Sequence, residues 1–202
     1  GVFPVSNSTT LSLENGDWEK EASILMNKLE EASGYKLSFS DNSSNNCIRF
    51  KTNENLGEEG YEIEVDDRQI SLSAATEKGM FYAIQTFFQL LPAEIESAKP
   101  LKMKLSVPAV KIADHPRFSY RGVMIDVSRH FFTVEELKKQ ISVMAMLKLN
   151  RLHLHLTDNQ GWRIAIDKYP QLVEYSAVQE TYNEELYGPC YYTKEDIKEL
   201  VA

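Results

Sequence analysis

Cysteine is nearly absent from this sequence: Cys47 and Cys190 are the only two among 202 residues. Two thiols cannot build a disulfide framework or a four-cysteine zinc site, and both are expected to be free. Glycine and proline are scarce, at 9 and 7 residues, which excludes collagen-like and linker-like chains. With 43% hydrophobic and 10% aromatic residues, the chain can bury a core and is not a disordered polymer. Long apolar runs are missing as well. The longest candidate, Met80 to Ala93, is interrupted by Gln85 and Gln89 and falls short of the roughly 20 residues a membrane helix needs, so membrane insertion is not expected. A basic block is also lacking. The 22 Lys and Arg against 30 Asp and Glu leave a net charge of −8, which argues against nucleic acid and anionic membranes as partners. Neither GxGxxG nor GxxxxGK[ST] occurs, so dinucleotide-binding and P-loop readings fail. The chain starts Gly1-Val2-Phe3-Pro4 with no basic leader segment; the expectation is an exported protein, periplasmic or extracellular, with its signal removed.

The first half mixes two periodicities. Asp17 to Ala32 carries Trp18, Ala22, Leu25, Met26 and Leu29 at helical spacing, with Gly34 as its stop. Cys47 to Lys51 reads as a short strand. Tyr61 to Asp66 and Gln69 to Ala74 both alternate and are separated by Asp67-Arg68, which predicts an antiparallel hairpin. Thr76 to Leu91 is a second helix, ended by Pro92, and Val107 to Ile112 is extended. Together these predict an α+β domain over residues 1–112, an antiparallel sheet with helices on one face.

The second half, 113–202, changes character. Arg121 to Ser128 is nearly continuous in apolar residues, as strands buried on both faces are. Thr133 to Lys148 is a helix, with Thr133 and Glu136 spaced as a capping box. Arg151 to Thr157 alternates strictly, Leu152, Leu154 and Leu156 against His153 and His155. Thr193 caps a last helix running to Ala202. A β-α-β-loop-α order implies a right-handed crossover and a parallel sheet. Two strands cannot complete such a sheet, and a (β/α)8 barrel takes about 250 residues. The expectation is therefore the first two βα units of an incomplete TIM barrel, in a piece of a longer protein. The open edge of its second strand is expected to promote self-association or leave the barrel segment highly mobile.

Chemistry-bearing residues gather at the strand ends. Arg121 precedes the first strand; Asp126, Ser128, Arg129 and His130 follow it; Thr157, Asp158 and Asn159 follow the second, before Gln160-Gly161-Trp162-Arg163. Ligands bind at the C-terminal ends of parallel strands in such folds. The bland reading of Asp126, Arg129 and His130 is a buried polar network bracing the rim. His153 and His155 share one side of their strand, but a metal site needs a third ligand aimed at the same spot; they read as hydrogen-bonded interior residues, with no metal or cofactor expected. Trp162 either lines the cleft edge or packs beneath it.

Residues 115–132 (His-Pro-Arg-Phe-Ser-Tyr-Arg-Gly-Val-Met-Ile-Asp-Val-Ser-Arg-His-Phe-Phe) resemble the opening barrel segment of glycoside hydrolase family 20, the β-N-acetylhexosaminidases. Residues 150–164 resemble the family's second strand and following loop, and 191–197 its entry to the next helix. The first 112 residues resemble the small domain that precedes the barrel. The resemblance implies hydrolysis of terminal β-linked N-acetylglucosamine or N-acetylgalactosamine from glycans, with retention. In this chemistry the substrate's acetamido oxygen attacks the anomeric carbon, a Glu protonates the leaving oxygen, and an adjacent Asp steers the acetamido group. It also implies that Arg121 grips hydroxyls of the sugar and that Asp158, with a later His, tunes the general acid. Asn159 stands where many members have a second Asp. The family's acid pair follows a His-x-Gly-Gly motif, yet these 202 residues contain no Asp-Glu and no Gly-Gly. The chain alone is therefore expected to be inactive. The competing reading is a non-catalytic module that binds carbohydrate or protein.

Overall fold

A computed structural model describes residues 1–14, 17–40, 45–97, 99–101, 104–180 and 186–201. The chain divides into two compact units, Gly1–Arg117 and Phe118–Ala202.

In the first unit the elements are β1 (Val2–Val5), β2 (Thr10–Glu14), α1 (Glu19–Ser33), β3 (Ser38–Phe39), β4 (Cys47–Thr52), β5 (Tyr61–Val65), β6 (Gln69–Ala74), α2 (Glu77–Leu90), β7 (Leu105–Pro108) and β8 (Val110–Asp114). The expected helices and hairpin are present. Gly34 ends α1 in the left-handed conformation at φ 76°, where a Cβ would be disfavoured, and its N–H bonds Glu30 O at 2.8 Å. Asp66 Oδ1 accepts from the N–H groups of Arg68 and Gln69, closing the turn between β5 and β6.

The antiparallel sheet expected here is instead a mixed six-stranded sheet, in the order β3-β2-β4-β6-β5-β8. β2 runs parallel to β3 and β4, and β4 parallel to β6; only β5 runs antiparallel to its neighbours β6 and β8. The reason is topological. α1 carries the chain back over the sheet so that β4 lies parallel to β2, and the β5–β6 hairpin then docks through β6 rather than β5. One face of the sheet, including Leu11, Ile48, Phe50, Ile63, Ile70 and Leu72, is buried in one core with Leu25 and Leu29 of α1 and Ile84 and Phe87 of α2. The other face is polar: Arg49 pairs with Glu14 and donates to Gln69 Oε1 at 3.0 Å.

The extended stretch expected over 107–112 is two strands in different sheets. β7 pairs with β1, and β8 pairs with β5. The boundary also moves. Asp114 lies on the β5 ladder and its Oδ2 accepts the Tyr61 hydroxyl at 2.6 Å, so the first unit runs past residue 112, to Arg117.

In the second unit, β9 (Gly122–Asp126) and β10 (Arg151–His155) pair in parallel, with Leu152 opposite Val123 and His155 opposite Asp126. They are joined by α3 (Val134–Met146), whose start is a complete Thr133–Glu136 capping box. A hairpin of β11 (Thr157–Asp158) and β12 (Gly161–Trp162) follows, then α4 (Gln171–Ser176), the pair β13 (Gln179–Glu180) and β14 (Leu186–Tyr187), and α5 (Lys194–Val201). Thr193 and Asp196 cap α5 reciprocally. The helix's expected last residue, Ala202, lies outside the described residues. A small core of Val127, Leu137 and Tyr192 holds the unit together, with Ile125 and Leu154 against it. β9 is not buried on both faces: Val123 and Met124 are 36% and 55% exposed. Among the described residues β10 has a ladder partner on one side only. Beside it lies an apolar groove of about 500 Å³, lined by Ile141, Leu152, Leu154, Leu156, Ile197 and Leu200 among others.

No helix among the described residues is long and apolar enough to cross a membrane.

Candidate functional site

A parallel strand pair points its C-terminal ends at one rim, and four ionisable side chains meet there. Asp126 ends β9 and His155 ends β10, directly opposite each other. Arg129 lies in the turn after β9, and Asp158 on the hairpin after β10. Arg129 donates through Nη1 to Asp126 Oδ2 at 2.5 Å and through Nη2 to Asp158 Oδ2 at 2.8 Å. The imidazole of His155 sits between the two carboxylates. Its Nδ1 is 3.1 Å from Asp126 Oδ1, close in distance but not aligned as a hydrogen bond, and its Nε2 is 3.4 Å from Asp158 Oδ2.

Backbone geometry sets this arrangement. Asp126 Oδ1 accepts from the N–H groups of Ser128 and Arg129 at 3.2 and 3.0 Å, an Asx turn that swings Arg129 back across the strand end. The Arg129 guanidinium, together with those N–H bonds, holds the Asp126 carboxyl well below the usual carboxylate range. Asp126 in turn raises the Arg129 guanidinium, with Asp158 adding to the effect. Asp126 and Arg129 are therefore an ion pair at neutral pH. The Arg129 side chain is 52% exposed, and a guanidinium carries five N–H groups, so donors remain for a ligand at the rim.

Other expected site residues lie elsewhere or differ. Arg121 is at the N-terminal end of β9, about 16 Å along the strand from Asp126 at 3.3 Å per residue. Its Nε donates to Lys148 O at 2.8 Å and its Nη1 to Phe118 O at 2.7 Å, while its own N–H reaches Asn150 Oδ1 at 3.0 Å. The structure thus does not bring Arg121 to Asp158; it makes Arg121 a clamp between the segment before β9 and the loop leading into β10. Asp158 lies within the cluster. The network of Asp126, Arg129 and His130 is not buried: Arg129 and His130 are exposed, and His130 Nδ1 meets Gln179 Nε2 at 3.3 Å rather than Asp126. Trp162 is half-buried and donates through Nε1 to Ile164 O at 2.7 Å. Cys47 and Cys190 are both free and buried.

Sequence reasoning passed over the part played by Arg129 and His155. Two signals pointed to it. Arg129 follows the strand's C-terminal end whereas Arg121 precedes its start, and Asp126–Arg129 and His155–Asp158 share a three-residue spacing that folds each pair onto itself. Among the described residues, no group of three or more His, Cys, Asp or Glu is arranged to hold a metal ion.

Comparison with known proteins gives a consistent picture. The model of "Glycosyl hydrolase family 20, domain 2" matches residues 1–115, and that of "Glycosyl hydrolase family 20, catalytic domain" matches 118–202. A beta-hexosaminidase of Porphyromonas gingivalis is 39% identical over 98% of this chain and 26% of its own length. One from Vibrio furnissii is 34% identical over 100% of this chain and 33% of its own. The solved GH20 beta-N-acetylhexosaminidase of Streptomyces coelicolor A3(2) superposes with a TM-score of 0.88 at 33% identity, over 100% of this chain and 40% of that one. The chain thus spans between about a quarter and two fifths of these relatives. With both family models in sequence order covering nearly all of it, the chain belongs to glycoside hydrolase family 20, as its small domain and the start of its catalytic barrel.

Proposed function

We propose that this chain is the N-terminal portion of an exported β-N-acetylhexosaminidase that removes terminal β-linked N-acetylglucosamine or N-acetylgalactosamine from glycans by substrate-assisted, retaining catalysis. In this reading β9-α3 and β10 with α5 are the first two βα units of a (β/α)8 barrel, and residues 1–117 are the accessory domain. The observation that carries it is the charged rim of Asp126, Arg129, His155 and Asp158, in a chain that belongs to this family.

Each side chain has a task that follows from its geometry. Arg129 is braced by a carboxylate on either side and presents its remaining donors to the cleft. A planar guanidinium of that kind binds two adjacent sugar hydroxyls well. We therefore assign the grip on the sugar to Arg129, in place of Arg121, which lies at the opposite end of β9 and turns its Nε and Nη1 to the carbonyls of Lys148 and Phe118. Asp158 keeps the role expected of it, a fixed negative charge that influences the general acid, and Asp126 and His155 hold Arg129 and Asp158 in register. The acid itself and its partner Asp are not within these 202 residues. Proton donation needs a carboxyl group within hydrogen-bond reach of the glycosidic oxygen, so this chain alone is inactive. The uncovered edge of β10 and its apolar groove favour self-association of the isolated chain.

The test is hydrolysis of a chromogenic aryl N-acetyl-β-glucosaminide by a protein of the relatives' full length. Turnover is expected, with Arg129→Ala raising KM by about tenfold or more, the loss of at least one charge-assisted hydrogen bond. Arg121→Ala is expected to leave KM within about twofold once folded protein is compared. A KM that rose for Arg121→Ala and not for Arg129→Ala would return the assignment to Arg121.

A further inference from the structure

Arg163 is buried at 1% exposure, an unusual place for a guanidinium, and no carboxylate pairs with it among the described residues. Its donors go to backbone carbonyls instead. Nε lies 3.2 and 3.3 Å from Val127 O and Ser128 O, Nη2 2.8 Å from Ser128 O, and Nη1 3.0 and 3.2 Å from Val178 O and Cys190 O. The side chain also lies over the Phe131 ring, 5.9 Å from its centroid. Burying a charge is costly unless dipoles or counter-charges replace its water. Convergence of four carbonyls on one planar fork is such a replacement. In return, the carbonyls of the buried residues Val127, Ser128 and Cys190 receive donors.

What these carbonyls belong to gives the inference its content. Val127 and Ser128 form the turn that begins at Asp126 and presents Arg129. Val178 precedes Gln179, whose Oε1 accepts the Phe131 N–H at 2.6 Å just beyond that turn. Arg163 itself leaves the β11–β12 hairpin that carries Asp158. A second tie runs alongside: the buried Ser128 Oγ donates to Gly161 O at 2.7 Å. Gly161 has to be glycine for this packing, since a Cβ there would come within 2.5 Å of the Arg163 guanidinium.

We infer that Arg163 is a positioning residue: it locks the turn bearing Arg129 to the hairpin bearing Asp158, and so sets the separation of the two groups at the rim. This rests on the reading of Arg129 as the residue that grips the sugar. A lysine at 163 keeps the charge but concentrates its donors on one atom, so it loses the fork that reaches Ser128 O through Nη2 and Cys190 O through Nη1.

The experiment is a kinetic double-mutant cycle in the full-length protein on an aryl N-acetyl-β-glucosaminide, using Arg163→Lys, Arg129→Ala and the double variant, with folding followed by thermal unfolding. Arg163→Lys is expected to raise KM by about tenfold with a smaller change in kcat, and to add less than about twofold in the Arg129→Ala background, because coupled residues are non-additive. Gly161→Ala, which presses on the same guanidinium, is expected to reproduce the KM rise and serves as the second variant where Arg163→Lys does not fold. Multiplying effects, or an unchanged KM in folded Arg163→Lys or Gly161→Ala, overturn the positioning role while leaving Arg129 in place. If neither variant folds, Arg163 is a structural residue only and the inference fails. An unchanged KM for Arg129→Ala alone instead removes the sugar-grip reading, and this inference with it.

Discussion

The two units solve the problem of burial differently. In residues 1–117, two helices cover one sheet face, and Leu11, Phe50, Ile63, Leu72 and Phe87 are all fully buried. In residues 118–202, the buried apolar cluster is centred on Val127, Leu137 and Tyr192, while Val123 and Met124 on a strand stay open. Both sequences are rich in apolar residues with the right periodicity. The difference lies in what covers the strands: two helices close one face of the six-stranded sheet, whereas among the described residues β9 and β10 form a two-stranded sheet whose strand residues Val123 and Met124 stay exposed. The first unit is thus organised around one continuous core, and the second carries the charged rim beside a much smaller one.

The largest effect that tests this contrast is all or none. The purified 202-residue chain should give no turnover of an aryl N-acetyl-β-glucosaminide, beside a full-length protein that does. Measurable hydrolysis by the short chain, with contaminating enzyme excluded, would mean that its own carboxylates suffice. The same preparation should self-associate as its concentration rises in sedimentation velocity, through the β10 edge. A charged residue introduced on that edge, Leu152→Lys, should reduce it.

Next in size is a core truncation. Phe50→Ala removes a fully buried ring from the sheet of the first unit and should destabilise that unit by about 3–5 kcal/mol. In denaturant unfolding followed by unit-specific probes, the transition of residues 118–201 should stay where it was. A common shift of both transitions would show that the units fold as one cooperative body.

A pH effect should appear at the β9 turn of the second unit. The folded-state carboxyl of Asp126 is held low by Arg129 and by backbone N–H bonds. A depressed folded pKa contributes stability above the unfolded carboxylate value near 4, and that contribution is lost as pH falls through the folded value. Acidification below about pH 4 should thus loosen the β9 turn, read as loss of protection at the Ser128 and Arg129 amides. Asp126→Asn should flatten the dependence. Sensitivity unchanged in Asp126→Asn would assign it to another carboxylate.

Much of this was legible in the sequence, and the failures have physical causes. Gly34, the Asp66 turn, the Thr133–Glu136 box and the alternation of Leu152 to Leu156 are local signals, and each marks its element within a residue or two. The parallel alignment of β2, β4 and β6 was not legible, because strand adjacency depends on which side of a hairpin docks, a contact between residues far apart in sequence. At the rim, the family resemblance points to Asp158, and the residues themselves suggest only a bracing network for Arg129. The same resemblance points to Arg121 for the grip on the sugar, yet Arg121 lies at the start of β9, whereas ligands gather where parallel strands end. Arg163 was invisible as a hub. In sequence it is one more basic residue after a tryptophan, and only the fold directs the carbonyls of Val127, Ser128, Val178 and Cys190 onto it.

The smallest effect gives the finest test, because the same substitution can be made in both units. Thr76 caps α2, its Oγ1 accepting from Gly79 N at 3.3 Å, and Thr133 caps α3, its Oγ1 accepting from Glu136 N at 3.3 Å. Replacing either by alanine removes one side-chain acceptor from a helix start and should cost about 1 kcal/mol. Each helix loses the same kind of cap acceptor, but the consequences should differ. In the first unit α2 is held by Ala83, Ile84 and Phe87 in a continuous core, so Thr76→Ala should lower its unfolding midpoint slightly and leave amide protection along the helix intact. In the second unit α3 buries only Leu137 and Met144, and its capping box is a larger share of what holds the helix start. Thr133→Ala should therefore fray residues 134–137, seen as faster amide exchange there, before any change in global unfolding. Equal exchange behaviour at the two helix starts would mean that α3 is as firmly packed as α2, and that the second unit needs nothing further to be stable.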